Sequence, residues 1–452
     1  MINLSALSPD KKKYLFQKEK MDVLIDDSVG ILNKIEEVPR FAGDPHFFHF
    51  LGKACNALPI TGRKNFFNSG GASIDRERAM YKAIGEAIER YSSSFYEFDD
   101  LPLTSFIDAD FDCIHPGDFA LYTDEQYDGD DFLFHPFVDS TPVRWTHVYN
   151  LTDKKNCFAP AAAVYMPYTY LLGDDEPPFL QPISTGLACH VTLEAALIGA
   201  ICEVVERDGV MIMWQSMLQY PHIRIETLDD VSYDIVKRLE INTARVVMLN
   251  ITTDNGIPTI LSILDDRNNP NAPAFIFAGA SDPNREIAAR KSLEELPHSR
   301  RYCARLMEFS PNFVPEFPKH ANVKDQEQHL HFYCDHDNAQ YAEFVLGSPD
   351  RISFDEIRSL EGATPKDTID NLVKAIAKTG EKVYYKDLTT SDVYEMGYKV
   401  VRALVPGYQR LCMGYKNRVL NNKRLKNVPN ALKIKSVLPA GYADNPAPHP
   451  YP

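Results

Sequence analysis

The 452-residue sequence lacks most of the patterns that usually point to a function. It has no GxxxxGK[ST] loop and no GxGxxG between a strand and a helix, so neither common phosphate cradle is present. HExxH and GxSxG are also missing, which excludes the helical zinc pair and the nucleophile elbow. The eight cysteines (Cys55, Cys113, Cys157, Cys189, Cys202, Cys303, Cys334 and Cys412) are scattered and form no CxxC, so they read as reduced thiols. The longest nearly apolar stretch, Ala195 to Cys202, is far short of the ~18 residues a membrane span needs. Positive charge is in the minority: 48 Lys and Arg face 63 Asp and Glu, a net charge of −15. That balance argues against nucleic acid and against anionic lipid as general partners. Lys11, Lys12, Lys13, Lys18 and Lys20 have no apolar segment behind them, so no signal peptide is read and a cytoplasmic location is expected.

The composition itself, 44% hydrophobic and 25% charged, is that of an ordinary globular protein. Helical spacing runs from Asp75 to Phe95, and again from Thr192, a candidate N-cap, to Ser216. Strand patterns occur at Val143–Tyr165, Arg245–Asn250, Thr259–Leu264, Ala274–Ala280 and Lys399–Val405. A further helix opens at Asp282-Pro283 and extends to about Leu306, with Pro297 expected to kink or end it. The irregular order of strands and helices predicts an α+β fold, with mixed or antiparallel sheets layered with helices. Three segments are expected: an N-terminal part over 1–60, a core over 61–430 and a tail over 431–452. His329, His331, Cys334 and His336 have zinc-compatible chemistry, but their spacing fits no standard finger. A solvated strand or loop is expected there.

Glutamates supply the chemistry. Leu193 to Trp214 is apolar around nearly its whole circumference, so the helix should be largely buried. It nevertheless carries Glu194, Glu203, Glu206, Arg207 and Asp208. A buried carboxylate is expensive unless it is paired or bound to metal. The helix from Tyr81 to Tyr91 repeats the arrangement with Glu86, Glu89 and Arg90. E-x-x-E-R thus occurs twice, at Glu86–Arg90 and Glu203–Arg207, and in each copy the two glutamates share a helix face. Two readings stand. The pairs are either buried Glu–Arg bridges between packed helices, or a hard-oxygen cage that focuses Mg²⁺ on the phosphates of ATP.

The stretches SGGASIDRERAMYKAIGEAIERYS (Ser69–Ser92) and ISTGLACHVTLEAALIGAICEVVERDGVMIMW (Ile183–Trp214), with the later Val405-Pro406-Gly407 turn, resemble the two signature helices and the VPG turn of the YcaO family. The resemblance implies ATP and Mg²⁺ as cofactors and Glu86, Glu89, Glu203 and Glu206 as metal ligands. It also implies that Arg90 and Arg207 support phosphates, that Glu194 joins them and that Ser184 lies near the nucleotide. The sequence departs from the family pattern at Gly70-Gly71-Ala72, at Thr185 and at Lys82. Lys82 either contacts phosphate or faces solvent. Arg300 and Arg301 are candidate phosphate arginines, with a surface role as the alternative.

The chain ends Asn445-Pro-Ala-Pro-His-Pro-Tyr-Pro452. Alternate prolines make a stiff, extended tail. Composition alone leaves a disordered end or an SH3-type ligand open. Azoline-forming YcaO enzymes resemble this tail closely. By that resemblance Pro446, Pro448, Pro450 and Pro452 enter the catalytic site, where the terminal carboxylate serves as a base or positioning group. The implied activity is an ATP-dependent peptide cyclodehydratase, the D-type component for thiazole/oxazole-modified peptides of the streptolysin-like group. The other readings are a YcaO enzyme forming thioamides or amidines, and a YcaO scaffold without catalysis. Expected partners are a precursor peptide and a separate C- or F-type leader-binding protein, since residues 1–60 look too short for a leader-binding domain. A flavin dehydrogenase later in the pathway and a homodimer complete the expectation.

Overall fold

The computed structural model describes residues 23–40, 43–171, 175–310, 313–316, 320 and 322–452. Its strands, numbered in chain order, form three sheets. The smallest is an antiparallel meander of β1 (Leu32–Glu37), β2 (Phe48–Ala54) and β3 (Asn68–Ser73). The largest has the order β4-β5-β13-β14-β7, with β6 also paired to β5. Its members are β4 (Leu103–Ser105), β5 (Pro142–Asn150), β6 (Lys155–Pro160), β7 (Leu187–His190), β13 (Tyr384–Asp387) and β14 (Lys399–Leu404). The third, of order β11-β10-β9-β8-β12, is built on the antiparallel β9 (Arg245–Asn250), β10 (Thr259–Asp265) and β11 (Phe275–Ser281). The short strands β8 (His222–Ile223) and β12 (Arg351–Ile352) complete it as a parallel pair. The expected α+β class is therefore what the chain adopts.

Three helices link the sheets in a ring. α1 (Arg76–Ser92) covers β2 and β3 and reaches β7. α2 (Leu193–Gln215) packs on β7 and β14 of the large sheet and on β11 of the third. α3 (Arg285–Phe309) lies on β10 and β11 and returns to β3. Each helix thus seals two sheets, and the three helices converge between them.

Local chemistry sets where the helices begin. The Asp75 side chain accepts from the Arg78 N–H, and that of Thr192 from the Ala195 N–H at 3.2 Å. Asn284 caps α3 through the Glu286 and Ile287 amides. Pro297 neither kinks α3 to a stop nor ends it, contrary to the sequence expectation; the helix runs on to Phe309. Buried Leu293, Leu296, Cys303 and Leu306 flank the proline, and their burial offsets the one lost backbone hydrogen bond.

The segment at His329 is also unlike its expectation. It forms the short helix α4 (Gln326–Phe332) rather than a solvated strand or loop, and His329 is fully buried against the tail. Its ring stacks on His449 with centroids 3.9 Å apart. Among the described residues no three His, Cys, Asp or Glu side chains are gathered closely enough to hold a metal ion by themselves. No helix of the described chain is long and apolar enough to cross a membrane.

Candidate active site

The two E-x-x-E-R helices meet in the ring, and each first glutamate is held in the same way. Glu86 accepts from the Gly70 N–H of β3 at 2.8 Å and pairs with Arg90 at 3.4 Å. Glu203 accepts from the Gly186 N–H at 3.2 Å and pairs with Arg207 at 3.4 Å. Gly186 has φ +89, and a Cβ there would strike the Ala403 carbonyl, so glycine is required for this approach. The second glutamates differ. Glu89 accepts from the Cys189 N–H at 2.7 Å, whereas Glu206 accepts from the Tyr451 hydroxyl at 2.6 Å.

Burial of the carboxylates shifts their titration. Burial and then the nearby Glu203 charge push Glu89 up to about 8. Burial pushes Glu206 up to about 7, against the pull of Arg207 and the Tyr451 hydroxyl. Fully ionised, the four glutamates would carry more negative charge than Arg90 and Arg207 neutralise, so either protonation or a bound cation relieves the cluster. This donor set fits Mg²⁺: carboxylate oxygens only, repelling one another, with no three able to enclose an ion alone. Mg²⁺ is typically held by one or two carboxylates together with phosphate oxygens and water. Bound between them, Mg²⁺ would supply charge neutralisation for a polyphosphate.

α3 closes the site from the third side with residues that sequence reasoning missed. Lys291 pairs with Asp282 at 2.8 Å and lies within electrostatic reach of Glu206. Glu295 is near Arg207 and His298. Lys82 of α1 is drawn to α3, with Glu294 and Glu295 each 3.1 Å away. Its ammonium therefore faces protein carboxylates rather than open solvent. Glu294 is fully buried and also accepts from the Ser73 hydroxyl at 2.8 Å. The available signal was the Lys291, Glu294, Glu295 spacing, one face of a helix whose other face is apolar.

The remaining candidates divide. Ser184 lies on the turn just before Gly186, where its carbonyl accepts from the Leu187 N–H. Glu194 is exposed in the first turn of α2. Arg300 pairs with Asp44 at 3.6 Å and Asp266 at 3.4 Å, and Arg301 with Asp44 at 3.6 Å. None of these partners belongs to the glutamate cluster.

The tail threads inward. Asn445 is buried and donates its N–H to Gln215 O at 2.8 Å. Each residue from Pro446 to His449 then offers its carbonyl to a protein donor. Pro446 O accepts from the Tyr415 hydroxyl at 3.0 Å, and Ala447 O from Trp214 Nε1 at 3.2 Å. Pro448 O accepts from the Tyr333 hydroxyl at 2.7 Å, and His449 O is 3.0 Å from His329 Nδ1. Proline brings no N–H to bury, so such a segment can enter a core without stranding donors. Tyr451 then lies under Arg207, whose guanidinium is 4.7 Å from the ring centroid. Its hydroxyl bridges Glu206 and the Gly279 N–H, the latter at 3.1 Å. Pro452 O accepts from Arg207 Nη1 at 3.2 Å. Pro446, Pro448, Pro450 and Pro452 thus lead to Glu206 and Arg207. Tyr451, which makes the closest contact, was not singled out from sequence.

The model of the family described as YcaO cyclodehydratase, ATP- and Mg²⁺-binding, matches residues 70–409, three quarters of the chain. The chain belongs to the YcaO family. ATP and Mg²⁺ are accordingly its cofactors. Among solved structures, a heterocyclase in complex with substrate and cofactor superposes with a TM-score of 0.78 at 20% identity, over 96% of this chain and 57% of that one. The YcaO of Methanopyrus kandleri bound with AMPPCP and Mg²⁺ gives 0.62 at 16% identity, over 89% and 92%. An E. coli microcin synthetase McbBCD complex with pro-MccB17 bound gives 0.59 at 14% identity, over 92% and 96%. An uncharacterized protein in the tfuA 3′ region of Rhizobium leguminosarum bv. trifolii is 23% identical over 284 residues. The match covers 60% of this chain and 62% of that protein, so the chain spans less than two thirds of that relative.

Proposed function

We propose that this YcaO chain is the D-type component of an azoline-forming peptide cyclodehydratase. In that reaction a Cys, Ser or Thr side chain of a precursor peptide attacks the preceding backbone carbonyl. ATP supplies the phosphoryl group that turns the former amide oxygen into a leaving group. Phosphate departs, and a thiazoline or oxazoline ring remains. The nucleophile belongs to the peptide, so no cysteine of the enzyme is required.

Glu86, Glu89, Glu203 and Glu206 would hold the Mg²⁺ ions, and Arg90 and Arg207 would face the phosphates. The observation that carries the reading is the contact of the proline tail with Arg207 and Glu206. Such a proline-rich tail is what resemblance to the azoline-forming enzymes implies, and the thioamide- and amidine-forming alternatives do not imply it. Pro452, whose backbone oxygen is held by Arg207, is the part of the tail offered for positioning the ring-forming step. A cytoplasmic setting and a separate leader-binding protein belong to the same reading. The microcin synthetase complex, which holds a pro-peptide, is its structural parallel.

The test uses purified chain, a leader-binding partner and a Cys-bearing precursor peptide encoded nearby. Expected are ATP consumption, loss of one water per ring and loss of the alkylatable thiol. Gain of sulfur, or water loss with the thiol still alkylatable, would overturn the azoline assignment. Deleting Asn445–Pro452 should lower kcat for ring formation by about 10- to 100-fold with little change in nucleotide affinity.

A further inference from the structure

Arg402 stands on β14, paired in register with Leu187 and Lys386, and is only 3% exposed. A guanidinium carries five N–H donors. Here Nη2 donates to Ile183 O at 2.8 Å, while Nε and Nη1 are buried without a hydrogen-bond partner. Arg410 lies across the same small cavity, and its Nε is likewise buried and unpartnered. The cavity measures about 40 Å³ and is further lined by Thr185, Val204 and Tyr408. At roughly 10–15 Å³ per water, it holds about three waters or one tetrahedral oxyanion.

Charge sharpens the point. The groups facing Arg410 are Tyr122, Tyr170 and Cys412, none of them a carboxylate. Arg402 faces Glu203, and it is repelled by Arg410 and Arg90. The Glu203 carboxylate already accepts from Gly186 and Arg207. Among the described residues neither Arg402 nor Arg410 has a carboxylate within salt-bridge distance, and both keep buried donors without a partner. Ion pairing is the ordinary condition for burying arginine, and the carboxylate nearest in charge, Glu203, already serves Gly186 and Arg207.

We propose that Arg402 and Arg410 form a phosphoryl-binding site beside Glu203, in the cavity lined by Ile183 and Thr185. The occupant is a tetrahedral phosphate oxyanion, either the γ-phosphoryl group of bound ATP or the orthophosphate released after transfer. This rests on the cyclodehydratase reading only for the origin of the phosphate. Planar guanidinium donors suit an oxyanion better than a spherical halide.

Full-length chain is titrated separately with orthophosphate, with Mg²⁺–AMPPCP and with Mg²⁺–ADP by calorimetry. Arg402→Met should weaken orthophosphate binding at least tenfold, and Arg402→Lys by less than that. If the γ-phosphoryl group is seated there, Arg402→Met also weakens AMPPCP at least tenfold and leaves ADP unchanged. If released phosphate alone is seated, both nucleotides bind as to wild type. Arg410→Met must shift orthophosphate in the same direction, which keeps the test intact if Arg402→Met does not fold. Unchanged affinity for orthophosphate and AMPPCP in a folded variant would overturn the proposal, as would equal affinity for chloride in wild type. Failure of wild type to bind AMPPCP while it binds orthophosphate would count against the cyclodehydratase reading and leave this site standing.

Discussion

The two E-x-x-E-R helices begin as near copies. In each, the first glutamate takes a glycine amide and pairs with the arginine four residues on, at 3.4 Å in both. They part at the second glutamate. On α1, Glu89 is satisfied by the neighbouring strand through Cys189. On α2, Glu206 is satisfied by Tyr451, contributed from the far end of the chain. α2 is also clamped elsewhere: buried Asp208 pairs with Arg424 at 2.6 Å, and Arg424 with Asp254 at 2.8 Å. The comparison teaches that one motif can serve one chemistry while its copies depend on different supports. At the second glutamate, α1 rests on a strand amide 100 positions away and α2 on a side chain 245 positions away.

The sharpest way to break the pair is at the clamp that only α2 has. Asp208→Asn leaves the buried Arg424 with Asp254 as its remaining carboxylate and should cost about 3 kcal/mol of stability. Thermal or denaturant unfolding reads that loss. Asp75→Ala at the α1 cap should cost only about 1 kcal/mol.

Acid should loosen the same half. Burial holds His449 down to about 4, against about 6.5 for a free histidine. The unfolded state then binds more protons between those values. The contribution of neutral His449 is therefore complete above pH 6.5 and is lost as pH falls toward 4, to a total of about 3 kcal/mol. Emission of Trp214, whose indole donates to Ala447 O, should report the loss. His449→Gln should reduce the acid loss, with His329 and His49, also held down by burial, supplying the remainder.

Glutamate equivalence comes next. Glu89→Gln and Glu206→Gln should each lower ATP turnover by about 100-fold if both helices hold the metal–phosphate assembly. Wild-type turnover in either folded variant would show that one copy is structural. A smaller effect separates support from ligand. Tyr451→Phe removes a hydrogen bond to a carboxylate and should cost about tenfold in ring formation, with nucleotide affinity nearly kept. Arg300→Gln should alter nucleotide affinity by no more than about twofold, because Arg300 faces Asp44 and Asp266. A tenfold change would return Arg300 to the phosphate site.

Much was legible in the chain. Three-residue glutamate spacing on apolar helices predicted both helices and the candidate cluster, because a 3.6-residue turn puts such pairs on one face whatever surrounds them. The N-caps at Asp75 and Thr192 are equally local. Alternating prolines ensured an extended tail with few amides to satisfy. Only tertiary structure decided where that tail goes, that Tyr451 meets Glu206, that Lys82 turns to Glu294 and Glu295, and that Arg402 is buried with donors to spare. Pro297 and His329 belong here too, since packing around each outweighed its local preference. The physical reason is common to all of them. Spacing along a helix is set by covalent geometry within a few residues, whereas the partner of a buried charge is set by whichever distant element packs against it.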